Sequence, residues 1–401
     1  MTVSLICEDF PQLTGRQEPH HESVFAGDIT HAVKAIELAR RAGAISMPWQ
    51  KRAQHAILSM TPEGRWTHST CCLIIPRQNG KSEILIHRCL YGLFKLGETI
   101  IYTAQRWKTA RDAWKRMMAI IKGRAWLRSR VKRATCSQGE GIIELHSGQM
   151  ISFGTRSNDT GRGLTEVDLI VYDEAYNLTE GEISAMAFTQ MASKNPQRIY
   201  ASSAVNKDEH PNGLVLTSVR IRGLACAERL YFAEYMAPEE MPREDEETWR
   251  YANPSYGVVQ TAEKVLDIME NLDTAAGRKG FDVEALGRGD WPSTEEAVER
   301  VIDPGVWSDL TNTTPKLTGQ IALAVDRSFD RGWWAVVAAQ RTTEGQIHLE
   351  VGYFQAAKNS EMVAFLIAVI AAWDPCVLVI DKKSAAAVLE PLLIAKKSSR
   401  R

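Results

Sequence analysis

The sequence predicts an α/β protein, with a mostly parallel, helix-covered sheet in its larger part and a second, smaller α/β unit behind it. Between residues 70 and 235, short β-rich runs alternate with helical patterns, the order that a parallel sheet imposes on a chain. After Pro304 β-rich runs return in a different order: strand, strand, strand, helix, strand, helix. The length, 401 residues, exceeds what one core comfortably serves and favours two globular units.

Strands are expected at 71–75, 99–103, 169–172, 198–202 and 229–232, with an amphipathic helix at 83–94 after the first. The runs 142–145 and 150–153 flank a break containing Ser147-Gly148, which suits a tight turn, so they are expected as an inserted hairpin. At Pro238 the composition turns acidic and proline-punctuated, and helical patterns follow at 262–271 and 294–300; this predicts a small connecting subdomain. Strands are then expected at 320–325, 333–338 and 346–353, a helix at 361–373, a strand at 376–380 and a helix from about Ala385. The expected domains are therefore 1–236 (N-terminal region and parallel sheet), 237–312 (connecting subdomain) and 313–401 (second α/β unit).

A hydrophobic fraction of 44% with 24% charged residues provides for a real core and requires no large disordered part. The longest apolar run, 362–373, falls short of the ~20 residues that span a bilayer, and no basic-then-apolar signal opens the chain, so a cytoplasmic protein is expected. Seven scattered cysteines without a CxxC pair exclude a disulfide framework and read as buried thiols. A net charge of −1 excludes a polycation, so any nucleic-acid contact must use local basic surface. Lys115, Arg116, Lys122, Arg124, Arg128, Arg130, Lys132 and Arg133 form such a cluster, interleaved with Trp107, Trp114 and Trp126. A solvated helix face explains it equally well.

The chemistry begins at Ile75-Pro76-Arg77-Gln78-Asn79-Gly80-Lys81-Ser82, placed between an apolar strand and an amphipathic helix, which is the setting a phosphate-binding loop needs. Gly80 lets the backbone wrap phosphates, Lys81 supplies a point charge to the outer ones, and Ser82 offers a hydroxyl to Mg²⁺ at the helix N-terminus. Arg77, Gln78 and Asn79 complete the expected nucleotide-binding set, and Ile75 stands where the usual pattern has its leading glycine.

Such a loop needs a downstream acid for Mg²⁺ and a residue that activates water. The run Leu169-Ile170-Val171-Tyr172-Asp173-Glu174 supplies both: Asp173 to orient the Mg²⁺ shell and Glu174 to polarise the attacking water. The same two acids would also suit the N-terminus of a following helix.

Together these residues resemble the large terminase subunits of tailed double-stranded DNA phages, and the resemblance covers nearly the whole chain. Arg-Gln-Asn-Gly-Lys-Ser is similar to that family's variant loop, and Pro48-Trp49-Gln50 resembles its preceding segment, in which the glutamine, here Gln50, contacts adenine. Thr103-Ala104-Gln105 matches in type, and Tyr200-Ala201-Ser202-Ser203 resembles the motif that couples hydrolysis to movement through Ser202 and Ser203. In Thr160-Gly161-Arg162-Gly163, Arg162 falls where the family's arginine reaches a neighbouring subunit's nucleotide; Arg77 is its rival as arginine finger. Asn253-Pro254 and Leu286-Gly287 with Trp291 resemble the family's connecting region. The implied fold of the first part is an ASCE-type P-loop NTPase.

In the last unit, Asp326 ends the run 321–325 and Asp381 ends 377–380. Acids on neighbouring strand ends can share divalent metals, although each also suits a turn after a strand. The resemblance implies a ribonuclease H-like nuclease using Mg²⁺ or Mn²⁺ at Asp326 and Asp381. It also implies a third acid and a closing strand and helix further on. Here the sequence ends at Arg401, so an incomplete nuclease domain is expected; Asp330 and Glu350 are the spare acids.

The function the resemblance implies is an ATP-driven motor that moves double-stranded DNA into a procapsid and cuts concatemers. Its partners would be DNA, a portal protein, a small terminase subunit and further copies of itself in a ring, in the host cytoplasm and transiently at the portal. A different nucleic-acid translocase or helicase, or a prophage remnant that only binds nucleotide or DNA, are the alternatives.

Overall fold

The expected parallel sheet is present, and it is wider than the sequence suggests. The computed structural model describes residues 8–156, 166–293, 310–328 and 333–398. Arg162, Asp330, Cys7 and the helical pattern at 294–300 lie outside the described residues. The chain divides into two compact units, Met1–Val298 and Glu299–Arg401.

The strands of the first unit are β1 (His21–Ser23), β2 (Thr70–Ile74), β3 (Ile100–Ala104), β4 (Val131–Ser137), β5 (Glu140–Leu145), β6 (Met150–Thr155), β7 (Leu169–Asp173), β8 (Gln197–Ser202) and β9 (Leu230–Glu234). They form one sheet in the order β1-β9-β2-β8-β7-β3-β6-β5-β4. From β9 across to β6 every pairing is parallel. Antiparallel β1 closes one edge, and β5 with β4 extends the other.

The helices are α1 (Thr30–Arg41), α2 (Pro48–Ile57), α3 (Lys81–Tyr91), α4 (Trp107–Lys122), α5 (Ala125–Arg128), α6 (Glu180–Ala187), α7 (Leu214–Leu224), α8 (Glu246–Ala252), α9 (Ala262–Asn271) and α10 (Ala275–Leu286). Successive side chains of β2 point to opposite faces, so Cys71 and Leu73 pack with α1 to α5, whereas Cys72 and Ile74 pack with α6 and α7. With both faces covered, the central strands read as unbroken apolar runs. The helices α8 to α10 belong to the first unit but gather their own core around Trp249, Tyr256, Val265 and Phe281.

Three expectations need correction. The run 150–153 is no isolated insertion, because β6 pairs in parallel with β3 and thereby widens the main sheet. The basic cluster is not one helix face: α4 ends before Gly123, and Lys132 and Arg133 lie on β4, where both pair with Glu144 at 2.6 and 3.4 Å. Arg116 pairs with Glu83 at 2.9 Å, and Arg130 donates to the Phe94 carbonyl. The cysteines also divide: Cys71, Cys72 and Cys89 are buried, but Cys226, on a turn after α7, and Cys376, just before an edge strand, are exposed.

The second unit contains β10 (Leu317–Arg327), β11 (Trp333–Thr342), β12 (Ile347–Ala356), α11 (Asn359–Trp373), β13 (Val377–Ile380) and α12 (Leu389–Ser398). Its sheet has the order β12-β11-β10-β13, with β10 and β13 parallel and the other pairs antiparallel. Met362, Val363 and Leu366 of α11 cover Val325, Trp334 and Val336 on one face.

The direction of α3 is fixed by a buried ion pair. Arg88 holds Glu98 through two bonds of 2.6 and 2.8 Å, donates to Gln197 at 3.0 Å and lies over the Trp66 ring. Gly92 is required beside it, since a Cβ there would fall 2.1 Å from the Glu98 carboxylate. Glu98→Ala should therefore lower stability by about 3–5 kcal/mol in chemical denaturation, because it strands a buried guanidinium. An Arg88→Met/Glu98→Leu double variant should recover much of that loss.

Candidate active site

Parallel strands carry their reactive residues at their carboxyl ends, where open α/β sheets bind ligands. Here the loop 75–82 follows β2, Asp173-Glu174 ends β7, Ser202-Ser203 ends β8 and Arg156 follows β6, so one edge of the sheet collects them. The additional strand β8 separates the loop strand from the acidic strand. Its end is tied to the loop, since the Ile75 amide donates to the Ser202 carbonyl at 2.9 Å. The hydroxyl oxygen of Ser202 is buried without a hydrogen-bond partner, and that of Ser203 is buried beside the Glu284 carboxylate.

Gly80, at φ +89°, turns the chain into α3, so Lys81 and Ser82 occupy that helix's first turn. Lys81 folds across the loop and donates to the carbonyls of Ile75 at 2.6 Å and Pro76 at 3.3 Å. Burial pushes its ammonium down to about 8, opposed by the charges of Asp173 and Glu284.

The amide side chains around the loop hold it in shape. Asn79 is fully buried; it donates to Pro76, Arg77 and Asn253, and accepts from the Ser255 amide at 3.1 Å. Ser255 donates its hydroxyl to the Asn79 carbonyl at 2.7 Å and accepts from the Trp49 indole at 3.0 Å. Gln50, expected at adenine, has both ends of its amide committed: it accepts from Met47 N and donates to Gly80 O at 3.1 Å. Arg77 pairs with Glu284 of α10 at 3.0 Å, and Gln78 sits at φ +61°.

Asp173 is buried and accepts from the Tyr102 hydroxyl at 2.6 Å and from the Glu174 amide at 3.0 Å; burial raises its carboxyl above the ordinary range. Glu174 adopts left-handed backbone angles, φ 56° and ψ 49°, which cost a non-glycine residue energy and recur at functional positions. Its carboxyl is raised by burial first and by the Asp173 charge second, and its Oε2 is buried without a hydrogen-bond partner. The helix-capping alternative does not hold, because α6 is capped by Thr179 with Glu182, while Glu174 makes no cap bond.

Two residues here escaped the sequence. Arg156 donates one guanidinium nitrogen to the carbonyls of both Asp173 and Glu174, clamping the strained peptide. Tyr102 orients the Asp173 carboxylate from inside an apolar strand, where nothing in the local pattern marks it.

In the second unit Val325 and Ile380 are register partners on parallel β10 and β13, so Asp326 and Asp381 follow side by side. Asp381 also forms the turn the sequence allowed, accepting from the Lys383 amide at 2.8 Å. Glu350 lies on β12, opposite Ala338 of β11, and His348 is 3.9 Å from it. Among the described residues, no group of three or more His, Cys, Asp or Glu could hold a metal.

A parallel sheet with a phosphate-type loop after β2, an acid pair ending β7 and β8 between them defines the ASCE class of P-loop NTPase folds. Among solved structures, the chain is similar to the large terminase of bacteriophage HK97, at 18% identity over 91% of this chain and 83% of that one, with a TM-score of 0.63. The resemblance read from the motifs thus extends to the fold. The large terminase of a thermophilic bacteriophage also matches, at 12% identity over 93% of this chain and 81% of that one (TM-score 0.36), and again in complex with ADP (12%, 92% and 80%, 0.38). No family model and no curated protein matches the sequence.

If Lys81 is held ready for phosphate at a cost to the fold, removing its charge should stabilise the protein. Lys81→Met should raise Tm at pH 7 by a few degrees and abolish nucleotide binding. The sign follows from the lowered folded-state value: below about 8 the buried charge is carried in full, and the gain shrinks as pH rises from 8 toward the unfolded lysine range.

Proposed function

We propose that the first unit hydrolyses ATP and that the chain is the motor subunit of a viral DNA-packaging machine. The observation that carries this reading is the convergence of Lys81, Asp173 and Glu174 at one sheet edge, with Glu174 half-buried and held in a strained backbone conformation. Lys81 would leave its loop carbonyls for the outer phosphates of ATP, and the loop and α3 amides would receive the rest. The Ser82 hydroxyl and the Asp173 carboxylate are hard oxygen donors of the kind Mg²⁺ takes, and Tyr102 leaves Asp173 with acceptor capacity. When bound, Mg²⁺ would neutralise charge developing on the transferred phosphoryl group.

Glu174, raised by burial, polarises the attacking water, and Arg156 keeps its backbone in place. Arg162, or Arg77 once released from Glu284, supplies the arginine that meets transition-state charge. Ser202 ends the strand hydrogen-bonded to the loop, Ser203 follows it, and the two would carry the change to the rest of the unit. Double-stranded DNA, a portal, a small subunit and a ring of copies are the partners this reading requires, in the host cytoplasm. Among the described residues no helix is long and apolar enough to cross a membrane.

For the second unit we propose a ribonuclease H-like nuclease in which Asp326 and Asp381 share Mg²⁺ or Mn²⁺. Their adjacency on parallel strand ends supports it.

Glu174→Gln should abolish steady-state ATP hydrolysis while leaving nucleotide affinity within about threefold; unchanged turnover would remove Glu174 from the chemistry. With Mn²⁺ the protein should cut plasmid DNA feebly. Loss of that cutting in Asp326→Ala supports the metal pair, and robust cutting by the variant would place the nuclease centre elsewhere.

A further inference from the structure

Arg77 of the phosphate loop is held by Glu284 of α10 in two ways. Its amide donates to the Glu284 carbonyl at 2.9 Å, and its guanidinium Nε lies 3.0 Å from Glu284 Oε2. The side-chain contact is an ion pair without an aligned hydrogen bond, since Oε2 has no hydrogen-bond partner. It lacks the directional component that makes charge-assisted hydrogen bonds strong, so another anion can replace it. Half-buried Glu284 also stands beside the Ser203 hydroxyl, and its charge reaches Lys81, the other cation of the loop. Both cations that a polyphosphate needs therefore already face a carboxylate.

We propose that Glu284 is an internal competitor of the nucleotide: a carboxylate that holds Arg77 until the outer phosphates take it, and that recovers Arg77 when they leave. The inference rests on the phosphate-loop reading above and adds to it a residue from outside both motifs. Polyphosphate and Glu284 cannot share Arg77 without cost, because both are anionic and like charges repel most where water is partly excluded. Glu209 adds a further negative charge near Glu284. Glu284 thus weakens polyphosphate binding, and its return to Arg77 speeds release of product. While phosphate holds Arg77, the carboxylate keeps the Ser203 hydroxyl, so the residue after β8 registers which partner Arg77 has. A residue that merely braced the loop would act with the opposite sign, since loosening the loop costs affinity.

Calorimetric titration of the full chain with magnesium tripolyphosphate and MgADP tests this. Glu284→Gln, which removes the charge and keeps the shape, should bind each about tenfold more tightly. Glu284→Asp, which keeps the charge, should stay within about threefold of wild type. In an Arg77→Gln background, Glu284→Gln should gain less than about threefold, because the contested partner is gone. In steady-state hydrolysis Glu284→Gln should lower KM for ATP and strengthen inhibition by ADP without raising kcat. The Arg77 side chain is 57% exposed, so loss of the pair costs little stability and Tm should stay within a few degrees of wild type. Should glutamine disturb the packing of α10, Glu284→Ala carries the same expected sign. Unchanged or weaker tripolyphosphate binding in the neutral variants would reduce Glu284 to a loop brace and overturn the assignment, as would an undiminished tenfold gain in the Arg77→Gln background. Failure of wild-type protein to bind tripolyphosphate at all overturns the phosphate-loop reading and this proposal with it.

Discussion

A guanidinium removed from water must be satisfied by protein, and Arg88 is satisfied from several sides at once: two bonds from Glu98, one from Gln197 and the face of Trp66. Glu98 lies just before β3 and Gln197 opens β8, so the far end of α3 is anchored where those strands begin. The other end of α3 must then lie at the sheet's carboxyl edge, where Lys81 is near enough to Asp173 for their charges to interact. The arrangement of the whole site depends on this anchorage, which contains no reactive residue.

Around the loop, the dominant chemistry is that of neutral amides. Gln50, Asn79, Asn253 and Gln260 use donors and acceptors on one another and on loop carbonyls, with Ser255 and Trp49 completing the set. Neutral groups can be buried in hydrogen-bonded networks without the solvation penalty that charges incur. The loop that carries Lys81 is thereby set in a neutral frame, while Asp173 and Glu174 are held separately by Tyr102 and Arg156.

Much of this was legible in the sequence, and what was not has physical causes. The loop and the acid pair are contiguous in the chain, so their chemistry shows in a few residues. The central strands were visible because both their faces are buried. β4 was not, because it is a mostly exposed edge strand with charged residues where an apolar alternation would be. The role of Asn79 was hidden because its partner Asn253 is 174 residues away, and that of Gln50 because a residue type does not reveal which of its bonds are spent. Arg156 lies at the end of β6, which itself reads as half of a local hairpin until β3 is seen to pair with it.

The brace between Asn79 and the Asn253–Ser255 segment bears on how the protein is made. A ribosome delivers residues 75–82 long before residue 255, and β8 and β9, which flank β2 in the sheet, also arrive later than the loop. The loop therefore cannot take its final shape during its own synthesis; it waits for about 170 further residues. Until then the nascent chain holds a glycine-containing, cationic segment without its frame.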